Sequence, residues 1–149
     1  MKTKVFTYES AMDQALRFLS VRFLSEKELR EKMMRKACPI DLIDQVEKRL
    51  FELDYLNDER LSKEALRLYM EEGKYSRRYI ENKMFQRGLC ISEALFDYDE
   101  EAAARRIVSR KVSKVFTWTS LYRFLGNRGF SSRTIKNIAQ ELSIQDANS

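Results

Sequence analysis

Apolar residues recur along this chain at the three-and-four spacing of amphipathic helices, and one version of the pattern occurs three times. The first copy begins Leu24-Ser25-Glu26-Lys27-Glu28-Leu29. Ser25 suits an N-cap, Glu28 three residues on completes a capping box, and Leu24 with Leu29 forms a hydrophobic staple. Tyr75-Ser76 with Ile80 opens the second copy, and Phe116-Thr117 with Leu121 the third. One turn further come Met33, Met84 and Leu125, and the last turns carry Lys36, Arg87 and Arg128, cations at the negative end of the helix dipole. Ala37, Gly88 and Gly129 then stand where a left-handed residue stops a helix. Helices are predicted at 26–36, 77–87 and 118–128. Agreement at cap, staple, stripe and stop in three places marks an internal repeat.

The flanking stripes extend each copy to three helices. Met12, Ala15, Leu16, Leu19 and Phe23 precede the first copy. Ile43, Val46, Leu50 and Leu53 follow it, after Pro39, which suits a first helical turn. Asp54 to Asp58 turns the chain, with Asn57 as cap and a Leu56–Leu61 staple, into a helix with Leu61, Ala65, Leu68 and Tyr69 on one face. The third helix of the middle copy is expected to be short, around Ser92 to Phe96. The acidic stretch Asp97 to Glu101 then starts a long helix through Ala104, Ile107 and Val115, and Ile135, Ile138 and Leu142 form the last stripe. The expected organisation is all-α: three-helix repeats at 8–53, 54–97 and 98–143, followed by a frayed tail at 144–149. Modules of about forty residues hold no stable core alone, so an elongated, curved array of tandem helix-turn-helix-like repeats is expected. The short breaks at 37–39, 88–90 and 129–131 resemble a helix-turn-helix, a feature shared with ordinary helical hairpins.

Composition supports helix and removes chemistry. Four glycines and one proline in 149 residues leave little room for the turns of an all-β fold. No apolar run is long enough for a membrane span, and the N-terminus lacks a secretory signal pattern. Two cysteines, Cys38 and Cys90, make neither a disulfide framework nor a zinc site, and reduced thiols in a cytoplasmic protein are expected. With no histidine, a Ser-His-Asp triad, a Cys-His dyad and a His-containing zinc site are excluded. Gly73-Lys74-Tyr75-Ser76 resembles the end of a P-loop, but Tyr75 and Leu68 occupy positions that need Ser/Thr and Gly. A binding protein without cofactor or metal is expected, not an enzyme.

Charge is unevenly placed. Net charge is +5, yet residues 51–100 hold eight Lys/Arg against twelve Asp/Glu, and residues 101–149 hold nine against three. Arg105, Arg106, Arg110, Lys111 and Lys114 form the sharpest cluster, with Arg106, Arg110 and Lys114 expected on one helix face. Arg123, Arg128, Arg133 and Lys136 add charge to the last two helices. Arg77 and Arg78 sit just inside a helix start, where the dipole disfavours cations. These eleven residues are the candidate contacts to a phosphate backbone or an acidic protein surface. Most aromatics, Phe18, Phe23, Phe51, Tyr69, Tyr79, Phe85, Phe124 and Phe130, are expected in the core. Trp118 lies off the stripe, where partial burial is expected and base stacking is the alternative.

Taken in order, these motifs resemble the RecX family. The resemblance rests on Leu24-Ser25-Glu26-x-Glu28-Leu29 with Met33, and on Leu53-Asp54-Tyr55-Leu56-Asn57-Asp58-Glu59-Arg60-Leu61. It continues through Gly73-Lys74-Tyr75-Ser76-Arg77-Arg78-Tyr79-Ile80 with Arg87-Gly88, and through Leu125-x-x-Arg128-Gly129-Phe130, covering roughly residues 10–142. It implies three tandem three-helix repeats, a bacterial cytoplasm and no catalytic activity. It also implies binding to RecA filaments that restrains filament growth, ATP hydrolysis, strand exchange and repressor cleavage, with direct DNA binding in some members. A monomer is the expected state. The competing expectation is a stand-alone helix-turn-helix-like regulator that binds nucleic acid. Ala37, in place of a glycine, and the short third helix of the middle copy depart from the family pattern.

Overall fold

The computed structural model describes residues 5–111 and 115–144. Among them are eight α-helices, one 3-10 helix and no strand: α1 (Tyr8–Val21), α2 (Glu26–Arg35), α3 (Ile40–Glu52), α4 (Asp58–Glu72), α5 (Arg77–Gln86), the 3-10 helix Glu93–Asp97, α6 (Glu100–Ser109), α7 (Trp118–Gly126) and α8 (Ser132–Glu141). The fold class is all-α, as the periodicity requires. Lys114 and residues 145–149 lie outside the described residues.

The three-fold signature is realised in α2, α5 and α7. Ser25 accepts from the Glu28 N–H at 3.0 Å while Glu28 accepts from the Ser25 N–H at 3.0 Å, the reciprocal capping box. Ser76 accepts from the Tyr79 N–H at 3.0 Å, and Thr117 forms a box with Ser120. Leu29, Met33, Ile80, Met84, Leu121 and Leu125 are wholly buried, and each such side chain stabilises the fold by about 1.5–3 kcal/mol. Ala37, Gly88 and Gly129 have φ of 60°, 73° and 86°, so each helix ends in the left-handed conformation read from its sequence. The middle copy's third element is the five-residue 3-10 helix, short as expected.

The chain divides into two compact units. The first comprises residues 1–63 with 85–90, the second 64–84 with 91–149. In the first, α1, α2 and α3 pack pairwise around Ala11, Ala15, Leu29, Met33, Ile43, Val46 and Leu50. The buried Ser25 hydroxyl, besides capping α2, donates to the Arg87 carbonyl at the end of α5, and Glu28 pairs with Arg87 at 3.2 Å. In the second, α8 packs on α6 and α7 around Ala103, Ala104, Leu121, Leu125, Ile135 and Ile138. Here the buried Ser76 hydroxyl donates to the Arg128 carbonyl at 2.7 Å. One cap hydroxyl thus serves two helix ends, satisfying an N–H of its own helix and a last-turn carbonyl of another.

Several expectations about single positions are corrected. The helix expected to reach Val115 stops at Ser109. Lys111 is exposed where the apolar stripe would continue, and Val115 is 91% exposed. Arg110 is therefore the cap residue that follows α6, one turn beyond Arg106, and the third member of that expected face, Lys114, lies outside the described residues. On α4 the buried positions are Ser62, Ala65 and Leu66, while Leu68 is exposed. Leu16, Phe23, Leu53, Phe51, Phe85 and Leu142, expected on packed stripes or in the core, are exposed. Most of them lie at helix ends, in a linker or at a stripe's edge, where an apolar side chain meets only part of a neighbouring helix. Ile144, the first residue of the expected tail, packs against the second core.

Candidate interaction surface

The structure sorts ten of the eleven candidate cations by what each already holds, Lys114 lying outside the described residues. Arg77, first residue of α5, is half-buried. Its N–H donates to Glu100 at 3.1 Å and its guanidinium donates to the Tyr98 and Phe96 carbonyls at 3.1 and 3.4 Å. Those carbonyls close the 3-10 helix, which explains a cation at the wrong end of α5's dipole. Arg105 makes a two-pronged pair with Glu141 at 2.9 and 2.7 Å. The bonds from Arg105 hold the Glu141 carboxyl below its ordinary range. Arg106 donates to the Glu72 carbonyl at 3.2 Å and lies against Gly73, so it closes the end of α4. Arg128 donates to the Phe124 carbonyl at 2.8 Å with its guanidinium 4.0 Å from the Phe124 ring centroid, and Lys111 approaches the same ring at 5.6 Å.

A different set stays open. Arg78 on α5, Arg110 at the end of α6, Arg123 on α7, and Arg133 with Lys136 on α8 are all exposed. None of these five has an ion-pair partner among the described residues. Three carboxylates of α6 and α8 are committed elsewhere, while Glu81 lines the same groove as Arg78 without pairing with it. Glu141 holds Arg105, Glu101 accepts from Asn137 at 2.5 Å, and Glu100 accepts from Ser131, from the buried Thr134 and from Arg77. Glu100 is the residue that sequence reasoning missed. Along the chain it is only one acid of an acidic helix start, yet its carboxylate gathers the beginnings of α5, α6 and α8. Arg78 also lines a groove of about 680 Å³ with Asn82, Tyr122 and Ser132. Trp118 is half-buried against the second core, tilted on Tyr122 at 5.9 Å. Unpaired guanidinium and ammonium groups of this kind attract anionic partners.

Comparison with known proteins fits this frame of capped helices. Residues 11–50 match the family model described as RecX, first three-helix domain. Over 145 residues the chain is 30% identical to the regulatory protein RecX of Chlorobium phaeobacteroides (strain BS1), covering 90% of this chain and 94% of that protein. The chain belongs to the RecX family. A crystal structure of RecX from Lactobacillus salivarius superposes with a TM-score of 0.66, covering 91% of this chain and 96% of that one at 21% identity, and shares the fold. The matched segment 11–50 holds most of α1, all of α2 and most of α3, the helices built around the Ser25–Glu28 capping box. RecX proteins are a regulatory family, and no helix among the described residues is long and apolar enough to cross a membrane.

Proposed function

We propose that this RecX-family chain binds RecA nucleoprotein filaments and restrains their ATPase, strand-exchange and co-protease activities, acting in the cytoplasm as a non-enzymatic monomer. Its repeats would be 8–53, 54–97 and 98–143. The carrying observation, beside family membership, is the set of exposed cations on α5–α8 with no carboxylate to hold them. A filament repeats its surface. Several modest charged contacts made together raise avidity without any single strong one. Arg78, Arg110, Arg123, Arg133 and Lys136 are the contacts put forward first, with Lys111, Lys114 and Arg128 beside them. Arg77, Arg105 and Arg106 support that surface by holding its elements in place.

The test is RecA's DNA-dependent ATPase with sub-stoichiometric amounts of this protein. Slowed hydrolysis is expected, and no effect at large excess removes the reading. A triple Arg123→Glu, Arg133→Glu, Lys136→Glu variant, folded by circular dichroism, is expected to inhibit much less. Equal inhibition would show that the filament is met elsewhere. The second reading, a stand-alone nucleic-acid-binding regulator, draws on the cations around Phe124. It requires a sequence-specific footprint on duplex DNA that survives competitor.

A further inference from the structure

The first unit buries a carboxyl group that its surroundings do not neutralise. Glu47 is 4% exposed in the middle of α3, among Ile43, Val46 and Leu50. Among the described residues its one cation is Arg30 of α2, whose Nη2 lies 3.3 Å from Oε2 and whose Nε lies 3.2 Å from Oε1. Arg30 is shared, since its guanidinium also binds Asp44. Glu47 Oε1 accepts no hydrogen bond. The Glu26 carboxyl, in the first turn of α2, lies within hydrogen-bond reach of Glu47. One guanidinium therefore serves two carboxyl groups with a third close by, and a buried acceptor is left without a donor, an arrangement that costs about 1–3 kcal/mol.

We propose that Glu26 and Glu47 form a proton-operated latch between α2 and α3: one proton on the pair closes it, and its loss sets two carboxylates against each other and loosens the first turn of α2. A proton on Glu47 supplies the missing donor, bonding the two carboxyls, and removes one negative charge from a site with too few positive ones. When it leaves to water, Glu47 and Glu26 repel, and Arg30 cannot hold both Glu47 and Asp44 fully. The first turn of α2 responds first because it carries Glu26 itself and its backbone is tied down there by side-chain hydrogen bonds. The Glu26 N–H bonds Asp58 at 2.9 Å, and the Ser25–Glu28 box lies beside it. The charged groups around the latch are Glu26 and Arg30 from α2, Asp44 from α3, and Asp58 from the start of α4. Those of α1, which also packs on α3, are Glu9, Asp13 and Arg17, all exposed.

The same surroundings set the proton affinity of Glu47. Burial, opposed by Arg30 and reinforced by Glu26 and Asp44, pushes Glu47 up to about 7 from 4.5. The folded state thus holds the proton more tightly than the unfolded chain does. The contribution of Glu47 to stability is therefore full below about pH 4.5, is lost as pH rises toward 7, and changes no further above it. The latch is independent of the RecA reading, and its test needs no RecA.

Carboxyl carbon-13 NMR of the intact protein should give a Glu47 midpoint between about 6 and 8, whereas a midpoint below about 5 overturns the proposal. Hydrogen exchange of the α2 first-turn amides, corrected for intrinsic rate, should speed up by roughly tenfold or more from pH 5 to 7.5. In Glu47→Gln, which keeps the shape and a donor, the same amides should change by less than about twofold. An unchanged pH response in Glu47→Gln overturns the latch. If that variant does not fold, the wild-type NMR midpoint decides alone.

Discussion

Ala37, Gly88 and Gly129 share the left-handed backbone that closes their helices, yet only Ala37 carries a side chain. The reason lies in what stands next to each. A Cβ at Gly88 would lie 2.7 Å from Lys27 Cβ, and one at Gly129 would lie 2.8 Å from Ser76 Oγ. Ala37 is exposed. The first copy's departure from glycine is therefore a position where only backbone strain, not a neighbour, opposes a side chain. Ala37→Gly should stabilise by about 0.5–1 kcal/mol, relief of the left-handed penalty offset by greater freedom in the unfolded chain. Gly88→Ala and Gly129→Ala should each cost more than about 1 kcal/mol, because strain and collision add. Urea midpoints at constant slope measure all three. The left-handed stop was legible in the sequence at all three positions. Why one of them tolerates alanine was not, because close approach depends on residues about 50 to 60 positions away.

The element scale turns on the caps. Thr117 satisfies only its own helix, closing a box with Ser120 on the exposed surface, whereas the Ser76 hydroxyl also feeds the Arg128 carbonyl from a fully buried position. Thr117→Ala should cost about 1 kcal/mol, and Ser76→Ala about 2–3, since it leaves a carbonyl and an N–H at a part-buried site without partners. Equal losses in chemical denaturation would contradict the double role. Glu28 carries a pH signature of opposite sign to Glu47. Burial alone would raise its pKa, but the Ser25 N–H, Arg87 and Arg22 outweigh that and hold it below 4.5. Its contribution is full above about pH 4.5 and is lost as pH falls through the lower folded value. Glu28→Gln should therefore cost about 1 kcal/mol at pH 6, a gap that closes in acid. Helix starts and stops were readable because caps act over three or four residues. The end of α6 was misjudged because the stripe through Ala104 and Ile107 continues on paper to Val115, while nothing in the sequence said that no partner would cover it.

At the scale of the whole molecule, charge and fold separate. Against a nucleic-acid backbone, log affinity should fall with log salt by about 0.9 per phosphate contacted, and neutralising Arg133 and Lys136 should lower that slope by about two units. An unchanged slope would place the charged contacts elsewhere. Sequence alone determined the helical class, the triple repeat, the family resemblance and the absence of histidine chemistry, because periodicity, capping and composition are local or additive properties of the chain. Tertiary structure decided which cations remain free. Arg77, Arg105 and Arg106 look no different along the chain from Arg123 and Arg133, yet packing brings carbonyls and carboxylates to the first three and leaves the other two to solvent. It likewise buried Glu47 beside Glu26, a meeting of α2 and α3 that no local spacing encodes.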